Sequence, residues 1–153
     1  KGKASAISTY FYKVSGEELS LKSAKKSRIL ERYDLHAPTS LSGTYLFSGR
    51  KEKGEIARRN TDQPRKTMKI LTGDRFQWIA YNTETGEFFG TGGGTYSAEN
   101  GKYSEKIEFF SRNNARVGAK LDFDFDKQGD DWHHSGLSSS GEPIYEIWSL
   151  RKK

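Results

Sequence analysis

The sequence predicts an all-β fold, an up-and-down antiparallel meander of about eight to ten strands that closes into a barrel. Hydrophobicity alternates with a period of two along the chain, and no window longer than a few residues carries a helical stripe. Aromatic residues are plentiful, with nine Phe, eight Tyr and three Trp. Such residues favour the pleated, half-buried surface of a strand.

Each element of the meander is predicted from this alternation. The expected strands are residues 44–52, 55–59, 66–72, 75–82, 87–96, 102–110, 119–127, 132–136 and 144–150. The links between them are short, and several carry the Gly, Asn or Asp that tight hairpins need at positive φ. Neighbouring strands are therefore expected to pair antiparallel in chain order, which favours a barrel over a sandwich.

The strand at residues 119–127 shows the clearest alternation. Its apolar set is Leu121, Phe123 and Phe125, and its acidic set is Asp122, Asp124 and Asp126. Only the apolar face can enter a core without burying unpaired charge. We therefore expect the apolar set inside the barrel and the acidic set in solvent. The reverse assignment would require cationic ligands or partners in the interior.

The N-terminal segment, residues 7 to 35, looks like a second copy of the end of the chain. Tyr10, Tyr12, Gly16 and Leu19 align with Phe123, Phe125, Gly129 and Trp132, and residues 29–33 align with 144–148. This predicts a division at Pro38 into an N-terminal strand hairpin, residues 1–38, and a barrel domain, residues 39–153. The hairpin either packs on the barrel or is the remnant of a preceding module. Two unrelated hairpins of similar composition are the alternative.

Charge and cysteine content exclude several classes of function. The formal net charge is +6, and the chain has no Cys, so it has no disulfide, thiol nucleophile or thiolate metal site. No apolar run has the length of a membrane span. Arg75 and Trp78 lie on opposite faces of their strand, whereas single-stranded nucleic acid needs basic and aromatic residues on one face. We expect no nucleic-acid partner, and either a monomer or a strand-exchanged homodimer.

No catalytic or metal-binding motif is complete. The run at residues 90–95 lacks the Lys of a P-loop and the third Gly of a dinucleotide fingerprint, so its glycines indicate a bulge, a bend or close backbone approach. The Ser run at residues 136–141 has the wrong spacing for a nucleophile elbow. His133 and His134 are adjacent, so at most one points inward. We expect no catalytic residue, no metal and no cofactor.

A family resemblance begins at Gly43 and runs to the end of the chain. Its segments are residues 42–45, 66–71, 75–78, 92–96, 106–110 and 144–148. There the sequence resembles bacterial extracytoplasmic proteins with lipocalin-like (calycin) domains. Gly43 and Tyr45 are similar to the Gly-x-Trp opening of lipocalins, and the resemblance implies that Arg151 packs across Tyr45. It also implies a lipocalin-like barrel and a periplasmic or secreted protein. The N-terminal repeat adds the expectation that this barrel is the C-terminal module of a tandem pair.

The predicted function is a non-enzymatic barrel that binds a small apolar or amphipathic molecule. The residues expected to line its interior are Phe76, Trp78, Tyr96, Phe109, Phe123, Phe125, Trp132 and His134. Small barrels are often filled by their own side chains, so a filled barrel acting as a protein or glycan interaction module is the alternative. A third hypothesis is an enzyme with His133 or His134 as acid or base at the barrel mouth.

Overall fold

The computed structural model describes residues 2–3, 10–15, 18–23, 27–31 and 36–152. Its strands are β1 (Gly2–Lys3), β2 (Phe11–Ser15), β3 (Glu18–Lys22), β4 (Ser27–Glu31), β5 (Gly43–Glu52), β6 (Glu55–Arg58), β7 (Arg65–Leu71), β8 (Arg75–Asn82), β9 (Glu87–Glu99), β10 (Lys102–Phe110), β11 (Lys120–Gln128), β12 (Asp131–Leu137) and β13 (Pro143–Leu150), with a 3₁₀ turn at Asn114–Arg116. The all-β prediction is confirmed. Every strand predicted from residue 44 onward is present. Among the described residues, no helix is both long and apolar enough for a membrane crossing.

Eight of these strands form a closed antiparallel barrel. The order around the ring is β5, β7, β8, β9, β10, β11, β12, β13, and β13 pairs back onto β5. Strand β6 folds back on the end of β5, and β1 pairs with the start of β9. The predicted up-and-down barrel is confirmed. Its closure leaves no open sheet edge within the ring.

The turn between β9 and β10 shows how local sequence sets this meander. Asn100 and Gly101 are the two loop residues, with φ of 50° and 74°. A two-residue hairpin loop of this kind needs positive φ at both positions, which Asn and Gly adopt more easily than other residues.

The glycines in the middle of β9 allow close approach to both neighbouring strands. A methyl group at Gly94 would collide with the carbonyl oxygen of Lys106, and one at Gly93 would lie 2.5 Å from the carbonyl oxygen of Phe76. The register shifts on both sides of β9, between Ala80 and Tyr81 and again between Ile107 and Phe109. The interpretation of this run as structural is therefore confirmed.

One end of the barrel, here called the base, is filled by its own side chains. The buried core consists of Leu41, Tyr45, Leu71, Phe76, Tyr96, Tyr103, Phe123, Trp132 and Trp148. Leu41 precedes β5 and is fully buried. Thr39 Oγ1 lies 2.7 Å from Tyr96 Oη, which ties the segment before β5 to the wall. The chain entering β5 thus closes the base.

The two faces of β11 are divided as the alternation predicts. Phe123 is buried, Leu121 and Phe125 pack against the core, and all three Asp residues are exposed. On the outside, Lys102 pairs with Asp124 and Ser104 donates to Asp122. The apolar face of β11 therefore faces the interior.

The expected contact between Arg151 and Tyr45 is not formed. Tyr45 is buried against Trp132, and the cation over its ring is Lys127, whose Nζ lies 5.4 Å from the ring centroid. The Arg151 guanidinium instead contacts Met68 Sδ at 3.9 Å. The two side chains are separated because Arg151 follows the end of β13 and extends along the outside of β7.

The N-terminal segment forms a three-stranded sheet, β2-β3-β4, separate from the barrel sheet. This is one strand more than a hairpin. The repeat predicted from the sequence aligns Tyr12 with Phe125, and the same offset aligns Leu21 with His134. Tyr12 pairs with Leu21 across β2 and β3, and Phe125 pairs with His134 across β11 and β12, so the two strand pairs have the same register. Gly16 and residues 32–35 of the predicted repeat lie outside the described residues. The boundary at Pro38 stays a prediction.

Candidate functional site

The half of the barrel away from the base encloses a cavity of about 250 Å³. Strands β7 to β13 all contribute lining residues, so the cavity lies in the barrel interior, here called the lumen. Its apolar walls are formed by Phe76, Trp78, Ile107, Phe110, Leu121, Phe123, Ile144 and Trp148. Ser138 and Ser139, which directly follow β12, border the cavity at the end of the barrel that we call the mouth.

Four ionisable side chains line the same cavity, and we call them the lumenal cluster: Lys69, Glu105, His134 and Glu146. Each occupies an inward position of its strand because its neighbours two residues away are core residues. Leu71 follows Lys69, Tyr103 precedes Glu105 and Trp148 follows Glu146. Side chains alternate between the faces of a strand, so the period that buries these apolar groups also turns the charges inward.

Lys69 and Glu105 form a buried ion pair. Lys69 Nζ lies 2.9 Å from Glu105 Oε1, and the side chains are 6% and 8% exposed. The Tyr103 hydroxyl donates to the same carboxylate oxygen at 2.8 Å. Burial raises the pKa of Tyr103 well above its usual value, and the charge and hydrogen bond of Glu105 raise it further. Tyr103 therefore stays a neutral donor that holds the carboxylate.

The Lys69 ammonium group is also surrounded by aromatic rings. Its Nζ lies 5.0 Å from the ring centroids of Trp132 and Trp148, 5.5 Å from that of Tyr103 and 5.7 Å from that of Phe76. Distances below about 6 Å allow a cation to interact with the negative ring face, and desolvation strengthens the attraction. The lumen thus holds its own cation by one carboxylate and four rings.

His134 and Glu146 form the second pair of the lumenal cluster. His134 Nδ1 lies 3.5 Å from Glu146 Oε2, too far for a well-formed hydrogen bond. The Trp148 indole donates to the same oxygen at 3.0 Å. His134 is 2% exposed, and neither ring nitrogen has a hydrogen-bond partner among the described residues. A buried polar group without a partner is costly and requires an explanation.

The protonation states of this second pair follow from burial and from neighbouring charge. Burial lowers the pKa of His134, although Glu146 opposes the shift, so its imidazole is neutral at pH 7. Burial alone would raise the pKa of Glu146, but His134, Lys69 and the Trp148 indole reverse this and lower it. Glu146 is therefore a carboxylate at pH 7, and its side chain remains 29% exposed.

The sequence-predicted interior residues fall into three groups. Phe76, Trp78, Phe123 and His134 line the cavity. Tyr96, Phe125 and Trp132 pack in or against the core but do not line the cavity. Phe109 lies outside the barrel. A role in ligand binding stays a prediction for the first group, whereas the second group fills the lumen.

The interior assignment of Phe109 was wrong because β10 contains an irregularity. The pairing of β10 with β9 shifts between Ile107 and Phe109, so Phe109 pairs with Gly93 and Phe110 with Gly92. This reverses the alternation, and Phe109 is 41% exposed. Phe110 instead enters the lumen, where its ring packs edge-on against Trp78 at a centroid distance of 5.6 Å.

Sequence reasoning missed the charged members of the lumenal cluster, Lys69, Glu105 and Glu146. A usable signal was present. Each lies two residues from a large apolar residue, with the same parity along its strand. His133, on the other face of β12, pairs its Nδ1 with the Tyr145 hydroxyl at 2.9 Å. Within the described part of the chain, no group of three or more His, Asp or Glu side chains could hold a metal ion.

Comparisons with known proteins identify the fold. No protein-family model and no curated protein matches the sequence. The structure is similar to that of a lipocalin-like protein from Bacteroides uniformis, with a TM-score of 0.53 and 13% sequence identity. The match covers 74% of this chain and 100% of the other. The chain therefore has the lipocalin-like barrel fold that its sequence predicts.

Proposed function

We propose that the protein binds a small amphipathic molecule in its lumen and catalyses no reaction. The observation that carries the proposal is the cavity itself, which combines apolar walls with the convergent polar groups of the lumenal cluster. Ligand sites typically have this composition, with apolar surface supplying most of the free energy and a few polar groups fixing orientation.

The size of the cavity limits the ligand. A volume of about 150 Å³ is enough to hold benzene. The observed volume of about 250 Å³ therefore admits one ring with a short polar substituent. Because both polar and apolar side chains line the cavity, a molecule with both apolar and polar parts is favoured over a hydrocarbon.

The hydroxyl groups at the cavity support binding over catalysis. Ser138 and Ser139 border the cavity and Thr67 lines it. Among the described residues, none of these hydroxyls is hydrogen-bonded to His134 or to either lumenal carboxylate. A hydroxyl nucleophile is normally activated by a base within hydrogen-bond reach.

A neutral amphipathic probe tests the proposal. 2-Phenylethanol is expected to bind with a dissociation constant on the order of 0.1–1 mM, measured by ligand-observed NMR. Leu121→Trp, which places a large side chain in the cavity, should abolish binding. Lys120→Trp adds the same group on the exposed face of β11 and should leave binding intact.

Circular dichroism and thermal melting establish that both variants are folded. Absence of binding to the wild-type protein would show that the lumen is a closed core. Binding that survives in folded Leu121→Trp would place the probe elsewhere on the protein and would also overturn the proposal.

A further inference from the structure

The residues that line the cavity carry more negative than positive charge. Within the described part of the chain they are the carboxylates of Glu105 and Glu146 and the ammonium group of Lys69, with His134 beside them. Lys69 pairs with Glu105. Because the His134 imidazole is neutral, the negative charge of Glu146 has no cation of its own. A carboxylate in a partly desolvated site is costly unless a cation pairs with it.

The cluster also has more hydrogen-bond acceptors than donors. Both contacts to Glu105 are made to Oε1, and both contacts to Glu146 are made to Oε2. Among the described residues, the second oxygen of each carboxylate accepts no hydrogen bond. Since Nδ1 of His134 faces Glu146, the imidazole proton is expected on Nδ1, and Nε2 is then a free acceptor. A ligand suited to this site brings donors.

The lumen is already suited to an ammonium group. Two of the rings around Lys69, those of Phe76 and Trp148, also form part of the cavity wall. A second cation in the cavity would meet the same kind of ring face. The Arg112 guanidinium lies 5.4 Å from the centroid of the Trp78 ring, but Arg112 does not line the cavity and so does not supply the missing cation there.

We propose that the preferred ligands are small organic amines, each with an apolar body of about one ring and a protonated amino group that pairs with Glu146. This rests on the lumenal binding proposed above. The amino group donates to the free Glu146 oxygen, with the second Glu105 oxygen as a further acceptor. The apolar body lies against Trp78, Phe110 and Leu121.

Three probes of the same shape and different charge test this selectivity. They are 2-phenylethylamine, which is protonated at neutral pH, neutral 2-phenylethanol and anionic phenylacetate. The amine is expected to bind the wild-type protein at least about tenfold more tightly than the alcohol, because a charge-assisted hydrogen bond is about twice as strong as a neutral one. Phenylacetate should bind most weakly, since Glu146 repels it.

Glu146→Gln removes the charge and keeps an acceptor for the Trp148 indole. It should bring amine binding to within about threefold of alcohol binding, because the amide carries no charge to pair with the ammonium group. Glu142→Gln is the matched control because Glu142 is exposed near the mouth and does not line the cavity. It removes the same charge and should keep the full preference for the amine.

The possible results separate the two proposals. Equal binding of amine and alcohol by the wild type, or tightest binding of phenylacetate, would overturn amine selectivity and leave lumenal binding standing. An amine preference that persists in Glu146→Gln, or that Glu142→Gln removes equally, would also overturn it. Failure of all three probes to bind would overturn both proposals.

Discussion

Replacing Lys69 by Met is expected to destabilise the protein strongly. Lys69 is 6% exposed, and its removal leaves the Glu105 carboxylate buried with only the Tyr103 hydroxyl as a partner. Removing one member of a buried ion pair costs about 3–5 kcal/mol, because the remaining charge is desolvated without compensation. The four ring contacts of the ammonium group are lost as well, which favours the upper part of this range.

The double variant Lys69→Met/Glu105→Gln isolates the pair. Here the remaining group is a neutral amide that still accepts the Tyr103 hydrogen bond, so the double variant should regain about 2 kcal/mol relative to Lys69→Met alone. Urea unfolding, followed by tryptophan fluorescence and by circular dichroism, measures both free energies. If the two substitutions add without coupling, Glu105 is solvated or otherwise paired, and the description of the lumenal cluster is wrong.

Three further outcomes are expected. Phe123→Ala should lower the free energy of unfolding, measured in urea, by about 3 kcal/mol, at the low end for a buried Phe because the vacated space joins an existing cavity. Asp124→Asn, at an exposed position, should change it by less than about 0.5 kcal/mol. Equal effects would contradict the assignment of the two β11 faces. Burial lowers the pKa of His134 in the folded state, so the unfolded chain binds a proton more tightly and stability should fall as the pH drops below about 6.5. His134→Gln should flatten this part of a plot of melting temperature against pH. An unchanged plot would show that His134 is accessible to solvent. A chain beginning at Pro38 should remain folded by circular dichroism. Its melting temperature should be lower if the N-terminal sheet packs on the barrel, and it should change from dimer to monomer in sedimentation if strands are exchanged between two molecules. Complete unfolding would place that sheet in the core.

The strand order could be predicted because the strands show a period-two alternation of hydrophobicity and the turns carry residues that suit their backbone conformation. On β11 the apolar and acidic residues alternate without interruption, and the loop at Asn100 and Gly101 carries the residues that its positive φ values need. Local pattern therefore decided the fold, since a meander needs only neighbouring strands to pair.

The bulge in β10 could not be predicted in the same way. Its position depends on where β9 and β10 approach closely, at Gly94 and Lys106, and this is a property of the paired strands. An uninterrupted period-two alternation past Ile107 would place Phe109 inside the barrel. The bulge adds one residue to β10 relative to β9 and so reverses the alternation beyond it.

The lumenal cluster was missed because a charged residue in a strand is usually assigned to solvent. Glu146 lies between Ile144 and Trp148 at inward positions, so the alternation of its neighbours outweighs its charge. That Lys69 compensates Glu105 depends on the pairing of distant strands, and only the closed barrel brings them together.

The most direct test of lumenal binding is the position of a bound probe. In a sample with labelled methyl groups and 2-phenylethanol, lumenal binding predicts intermolecular nuclear Overhauser effects from the probe to the methyl groups of Leu121, Ile107 and Ile144, all on the cavity wall. Effects to Ile70 instead, in the outer hollow beside Phe109, would contradict it and place the binding site on the barrel surface.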